Sequence, residues 1–195
     1  KKIKVLYDKG FNDYEIDGNN VKINSYELSG KRKLIRFLKS FIEENTDAEI
    51  NIYDMETDAP YMVASLKTDN PEFKLLLQGH LDTVSPEGMD NPFSAEIKDG
   101  KMWGRGSADM KSGCAAMIKA FVESVSLEEQ KGDIYLAFST DEEYDAKEMV
   151  KAFKKGHIPT CDFCIIPEPT NENLAVSNKG NAWMEVMFKG ISAHA

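Results

Sequence analysis

The chain has 195 residues, enough for one domain with a real core, and its 42% hydrophobic and 29% charged content is that of an ordinary globular protein. A formal net charge of -9 argues against nucleic acid or an anionic membrane surface as a partner. No apolar run is long enough for a transmembrane helix, and Lys1-Lys2-Ile3-Lys4-Val5 lacks both a signal-peptide apolar segment and an initiator Met, so a processed or partial chain is expected.

Residues 1–24 are mixed, with turn signals at Asp17-Gly18-Asn19-Asn20. Ser29-Gly30 then precedes an amphipathic helix over Lys31 to Glu44, where Leu34, Ile35, Leu38, Phe41 and Ile42 share one face. Strands are expected at Ile50 to Tyr53, at Tyr61 to Leu66 and from Leu75. Asp99 to Trp103 reads as a short hairpin. Met110 to Val125 is the next expected helix, with Gly113, Ala115 and Ala116 small enough for close packing on a sheet. A strand at Ile134 to Phe138, a helix at Ala146 to Lys155 stopped by Gly156, and a strand at Cys161 to Ile166 complete the pattern. Helices alternating with apolar strands specify an α/β sheet. A boundary is expected near Lys179, because Ala182 to Gly190 alternates as a half-exposed strand does.

Three apolar runs end in chemistry-bearing residues. Leu75-Leu76-Leu77-Gln78-Gly79 stops at a glycine and gives way to His80-Leu81-Asp82. Ile134 to Phe138 leads into Ser139-Thr140-Asp141-Glu142-Glu143, and Phe163 to Ile166 leads into Pro167-Glu168-Pro169-Thr170. Trp103-Gly104-Arg105-Gly106-Ser107-Ala108-Asp109 lies between the first two. If the runs are neighbouring strands, these turns share one sheet edge, where α/β proteins bind ligands. One His and several carboxylates would then converge, as a metal site requires. Taken singly, each signal has a plainer reading: a loop histidine, a solvated acidic face, a Glu-Pro turn. Their repetition after buried-looking strands favours the site. Glu142 and Glu143 are adjacent, and in extended geometry they would point opposite ways, which suits two separate jobs.

Cys114, Cys161 and Cys164 form no disulfide framework, so a reducing cytosol is expected. Cys161-x-x-Cys164 lacks a second pair or a nearby His and reads as packing cysteines at the start of a strand. His157 follows Gly156 in a helix-ending turn and reads as structural.

At these residues the chain resembles the co-catalytic zinc family of aminoacylase, acetylornithine deacetylase, succinyl-diaminopimelate desuccinylase and the glutamate-releasing carboxypeptidases. Gly79-His80-Leu81-Asp82-Thr83-Val84 is similar to the first metal motif, and Gly104 to Gly113 to the long bridging-aspartate motif. Asp141-Glu142-Glu143 resembles the base-and-ligand pair, Pro167-Glu168-Pro169-Thr170 the third-ligand turn, and Ile23 to Glu27 the opening segment. The resemblance implies a zinc-exopeptidase-like mixed sheet flanked by helices. It implies that His80 and Glu168 bind one zinc, that Asp109 bridges to a second, and that Glu143 binds the second. Glu142 would be the general base and Asp82 would orient the imidazole. Cobalt or manganese could substitute. Gly190-Ile191-Ser192-Ala193-His194-Ala195 resembles the lid segment, whose His reaches a partner subunit's site and stabilises the oxyanion; this implies a homodimer. Residues 1–178 would be the N-terminal part of the catalytic domain and 179–195 the start of an α+β lid and dimerisation domain. Glu rather than Asp at position 168 resembles the deacylase and desuccinylase branches.

Three departures qualify the likeness. Family members are about twice as long and supply a last histidine to the second zinc, yet only His80, His157 and His194 exist here. The first 20 residues lack the expected amphipathic helix, and Tyr144-Asp145-Ala146 replaces a small, Gly-rich turn. The expectation is therefore the N-terminal part of a cytoplasmic zinc hydrolase of amide bonds, acting on N-acyl amino acids or short peptides. This stretch alone is expected to be inactive. The rival is a module that folds and binds metal or dimerises without catalysis. A glycosidase with paired carboxylates would leave His80 and the Gly104-to-Gly113 motif without work.

Overall fold

The computed structural model describes residues 15–17, 20–22, 25–127, 129–171, 173–177, 184, 186–187 and 189–190. Two short strands, β1 (Glu15–Asp17) and β2 (Asn20–Lys22), pair antiparallel, and Gly18 and Asn19 of the expected turn lie outside the described residues. Helix α1 (Leu28–Asn45) follows, and β3 (Glu49–Tyr53), β4 (Tyr61–Leu66) and β5 (Lys74–His80) come next. The hairpin β6 (Glu96–Lys98) and β7 (Lys101–Trp103) turns through Asp99-Gly100, as its sequence predicts. A wide turn, Ser107–Lys111, leads into α2 (Ser112–Ser124), then β8 (Asp133–Ser139), α3 (Lys147–Lys154) and β9 (Phe163–Ile165).

The main sheet is mixed, in the order β3-β4-β8-β5-β9. β3, β4 and β8 pair antiparallel, whereas β5 runs parallel to both β8 and β9. Strand alternation divides the core between its two faces. Met62, Ala64, Leu77, Leu136 and Phe138 pack with Ile35, Leu38 and Ile42 of α1 and Met117 and Phe121 of α2. Tyr61, Val63, Leu76, Tyr135 and Ala137 pack on the other face with Ala152 of α3 and Ile158. This is an α/β architecture, a mixed sheet flanked by helices.

Several local expectations are corrected. β5 extends beyond its apolar run, and Gly79 and His80 are its last residues. Gly79 is accepted because its face lies close on α2; an added Cβ would stand 2.8 Å from Met117 Cε and 3.0 Å from Cys114 Sγ. Ala115 and Ala116 are exposed, and α2 packs through Cys114, Met117 and Phe121 instead. Cys164 is exposed on β9, and only Cys161 packs, against the Tyr61 cluster. The expected strand over 182–190 lies partly outside the described residues, and Met184, Val186, Met187, Lys189 and Gly190 carry no strand. No described helix is long and apolar enough to cross a membrane.

Candidate active site

Because β5, β8 and β9 are parallel, their carboxyl ends lie on one edge, and the residues that follow them meet there. His80 ends β5 and is 1% exposed. Its Nδ1 lies 3.1 Å from the Asp82 carbonyl oxygen and 3.5 Å from Asp82 Oδ1, which fixes the ring and leaves Nε2 facing outward. Asp82 is fully buried, and its Oδ2 accepts the Glu143 backbone N–H at 3.1 Å. One carboxylate thus ties the imidazole to the Glu pair.

Three carboxylates surround Nε2. Asp109 Oδ1 is 3.1 Å away, Glu168 Oε1 3.6 Å and Glu142 Oε2 3.8 Å. Ligand atoms of His80, Asp109 and Glu143 also lie within 4.8 Å of one another. The sequence-predicted residues other than His194 are therefore brought together, while His194 lies outside the described residues. Glu142 and Glu143 do not sit in an extended segment. They open a turn closed by Ala146 N–H to Asp141 O at 2.8 Å, so their divergence comes from turn geometry.

Local sequence explains each placement. The wide turn over Ser107–Lys111 is extended at Asp109 (φ -110°, ψ 106°), and the Asp109–Met110 peptide is cis. Met110 anchors this turn: it is fully buried, and its Sδ accepts the His80 backbone N–H at 3.2 Å. Asp109 therefore stays 54% exposed beside a fixed neighbour. Gly106 has φ +80°, and an added Cβ would stand 2.7 Å from both Lys111 Nζ and Thr83 Cγ2.

The electrostatics call for a cation. Burial pushes the Glu143 and Glu168 carboxyls up, and Asp109 pushes both further. Burial alone would lower the His80 pKa, but the hydrogen bond and charge of Asp82, then Glu168 and Glu142, outweigh it and hold it near about 9. Asp109, Glu142, Glu143 and Glu168 gathered about one imidazole form a donor set suited to a dication of the zinc type. The residues present fit such a metal.

Sequence reasoning missed Lys111. Burial lowers its pKa to about 8, while Asp82, Asp109 and Glu143 pull the other way. Its place two residues after Asp109 gave a signal only in hindsight, since burial of a lysine depends on tertiary packing. His157 is structural as expected: its Nδ1 is 2.7 Å from the Tyr61 hydroxyl and its ring stacks on Tyr53 at 3.8 Å.

Glu168 depends on a close approach. A Cβ on Gly113 would stand 2.2 Å from the Pro167 carbonyl oxygen and 2.9 Å from Pro167 Cβ. Backbone cannot yield cheaply, so Gly113→Ala should displace the turn that carries Glu168. The expected result is a loss of about 1–3 kcal/mol of stability, as for overpacking, together with weaker metal binding. Thermal melts and titration with zinc as the probe metal check it; unchanged affinity would mean that Glu168 contributes nothing to the site.

Residues 76–180 match the family model for Peptidase family M20/M25/M40. The chain is 33% identical over 134 residues to a succinyl-diaminopimelate desuccinylase of a Wolbachia endosymbiont of Brugia malayi, covering 62% of this chain and 33% of that protein. It is 34% identical over 182 residues to an uncharacterized metallohydrolase of Methanocaldococcus jannaschii, covering 84% and 43%. Its fold is similar to that of human carnosine dipeptidase 1, with TM-score 0.58 at 23% identity over 74% of this chain and 35% of the other. The chain spans less than half the length of these relatives.

Proposed function

The chain belongs to Peptidase family M20/M25/M40, and on that premise we propose that it serves a zinc-dependent hydrolase that removes the acyl group from an N-acyl amino acid. The observation that carries this reading is the convergence of Asp109, Glu142 and Glu168 on His80 Nε2 at one sheet edge. A desuccinylase or deacetylase substrate is favoured over a peptide by Glu at position 168 and by the desuccinylase relatives. His80, Asp109, Glu143 and Glu168 would hold a pair of zinc ions, with cobalt or manganese as substitutes. Such ions, when bound, supply Lewis acidity to an amide carbonyl and acidify a water.

The chain's own groups do the rest. Glu142, half-exposed at the rim of the cluster, takes the proton from the attacking water at a carboxylate oxygen and returns it to the departing nitrogen. Asp82 holds the imidazole in one orientation. Asp109, with two carboxylate oxygens, would help to hold the ions. By the same resemblance, the enzyme is a cytoplasmic homodimer, residues from 179 onward begin its lid, and His194 serves the partner's site.

A second reading applies to these 195 residues alone: they fold and bind metal without turnover. It is favoured by His157, which is occupied with Tyr61 and Tyr53, so no second imidazole joins the cluster among the described residues. The test is metal content by mass spectrometry with a panel of succinyl-diaminopimelate, acetylornithine, other acyl amino acids and dipeptides. The complete protein should hydrolyse an acyl amino acid, lose activity to a chelator and regain it with zinc. A zinc-replete protein inert on the whole panel would overturn the proposal.

A further inference from the structure

Beside the carboxylate cluster lies a cavity of about 180 Å3, lined by Gln78, Ser139, Glu142, Ala146, Glu148 and Met149. One water needs only ~10–15 Å3 of such space, so there is room for a larger ligand. Glu148 sits in the first turn of α3, where an acidic side chain ordinarily faces solvent and complements the helix dipole. Here it is 3% exposed, and neither carboxyl oxygen has a hydrogen-bond partner among the described residues. Ser139, 2% exposed at the end of β8, also has an Oγ without a partner. Buried polar groups are normally satisfied, and two orphans on one cavity wall point to a ligand.

The lining decides which ligand. No imidazole or thiolate is present, so zinc is disfavoured. Ala146 and Met149 supply no oxygen, so a hard metal ion would lack a full coordination sphere. A primary ammonium needs only three acceptors, and its carbon stem needs apolar wall. Glu148, Ser139 and the Gln78 amide offer the acceptors, while Ala146 and Met149 offer the wall. We propose that this cavity binds a primary ammonium on a short alkyl stem, held chiefly by Glu148.

Glu142 belongs both to this wall and to the cluster around His80. A molecule with its amide at the cluster can therefore place a side-chain ammonium in the cavity. A free amine would satisfy the same groups. Only the substrate source rests on the hydrolase reading above.

The test titrates n-butylammonium into the complete protein, followed by NMR shifts of the Glu148 and Met149 amides. Saturable binding is expected, with n-butanol and tetramethylammonium ineffective. Glu148→Gln should weaken it by at least about tenfold, since a buried charge loses its partner. Ser139→Ala should weaken it less, and His80→Ala should leave it in place. In parallel, kcat/KM is compared for Nα-acetyl-ornithine and Nα-acetyl-norvaline. If the ammonium comes from substrate, Glu148→Gln lowers their ratio at least about tenfold, through KM. Amine binding with an unchanged ratio assigns the cavity to a free amine. Failure of the wild type to hydrolyse either amide rules out an acetylated substrate as the source of the ammonium, the wider panel still decides the hydrolase reading, and the butylammonium titration still decides the cavity. No saturable binding, or equal binding by wild type and Glu148→Gln, overturns the proposal.

Discussion

Glu142→Ala in the complete protein is expected to cut turnover by about a hundredfold or more while metal content stays nearly unchanged. The geometry separates the two adjacent glutamates. Glu143 is tied down through its backbone N–H to the buried Asp82, and its ligand atom lies within 4.8 Å of those of both His80 and Asp109. Glu142 Oε2 is the most distant of the three carboxylate oxygens around His80 Nε2, at 3.8 Å, and Glu142 is 46% exposed on the cleft side. A half-solvated carboxylate at the rim can exchange protons with a reacting molecule; a fixed one beneath it is suited to holding an ion. Glu143→Ala should therefore lose metal, and Glu142→Ala should not. Inductively coupled plasma mass spectrometry on both variants, with steady-state kinetics, checks the pair. Loss of a zinc from Glu142→Ala would exchange the two roles.

What could be read from the sequence followed from strand chemistry. Apolar runs that end at Gly79, Phe138 and Ile166 mark three strands, and parallel pairing of those strands brings their ends to one edge. That pairing is a tertiary fact, but short apolar strands separated by helices leave few other arrangements. Helix α1 was legible because Ile35, Leu38 and Ile42 recur at helical spacing, and all are buried. The turn at Ser107–Lys111 was not legible as such. Its residues favour helix, and Met110 is pulled into the core below His80, which leaves Asp109 extended. Gly113 is small for close packing, as its sequence context suggests, but the partner it meets is Pro167 rather than a strand of the sheet. Lys111 and Glu148 escaped because a charged residue in sequence looks like a solvated one. Only the closing of neighbouring elements over them makes them unusual.

The same accounting of imidazoles leads to the largest effect expected away from the metal cluster. The chain has three histidines. His80 is committed to the cluster and His157 to Tyr61, and the family resemblance makes the third, His194, the proposed donor to the oxyanion. His194→Ala in the complete protein is expected to lower turnover by about a hundred- to a thousandfold with little change in substrate affinity, because the oxyanion forms only in the transition state. If His194 acts across a dimer, a mixture of Glu142→Ala and His194→Ala subunits should recover part of the activity that each lacks alone. The site in the His194→Ala subunit keeps its own Glu142 and receives an intact His194 from its partner. Recovery should appear only as subunits exchange, and it should follow the exchange in time. With exchange verified by mass spectrometry, an inactive mixture would place His194 within its own chain's site or outside the reaction altogether.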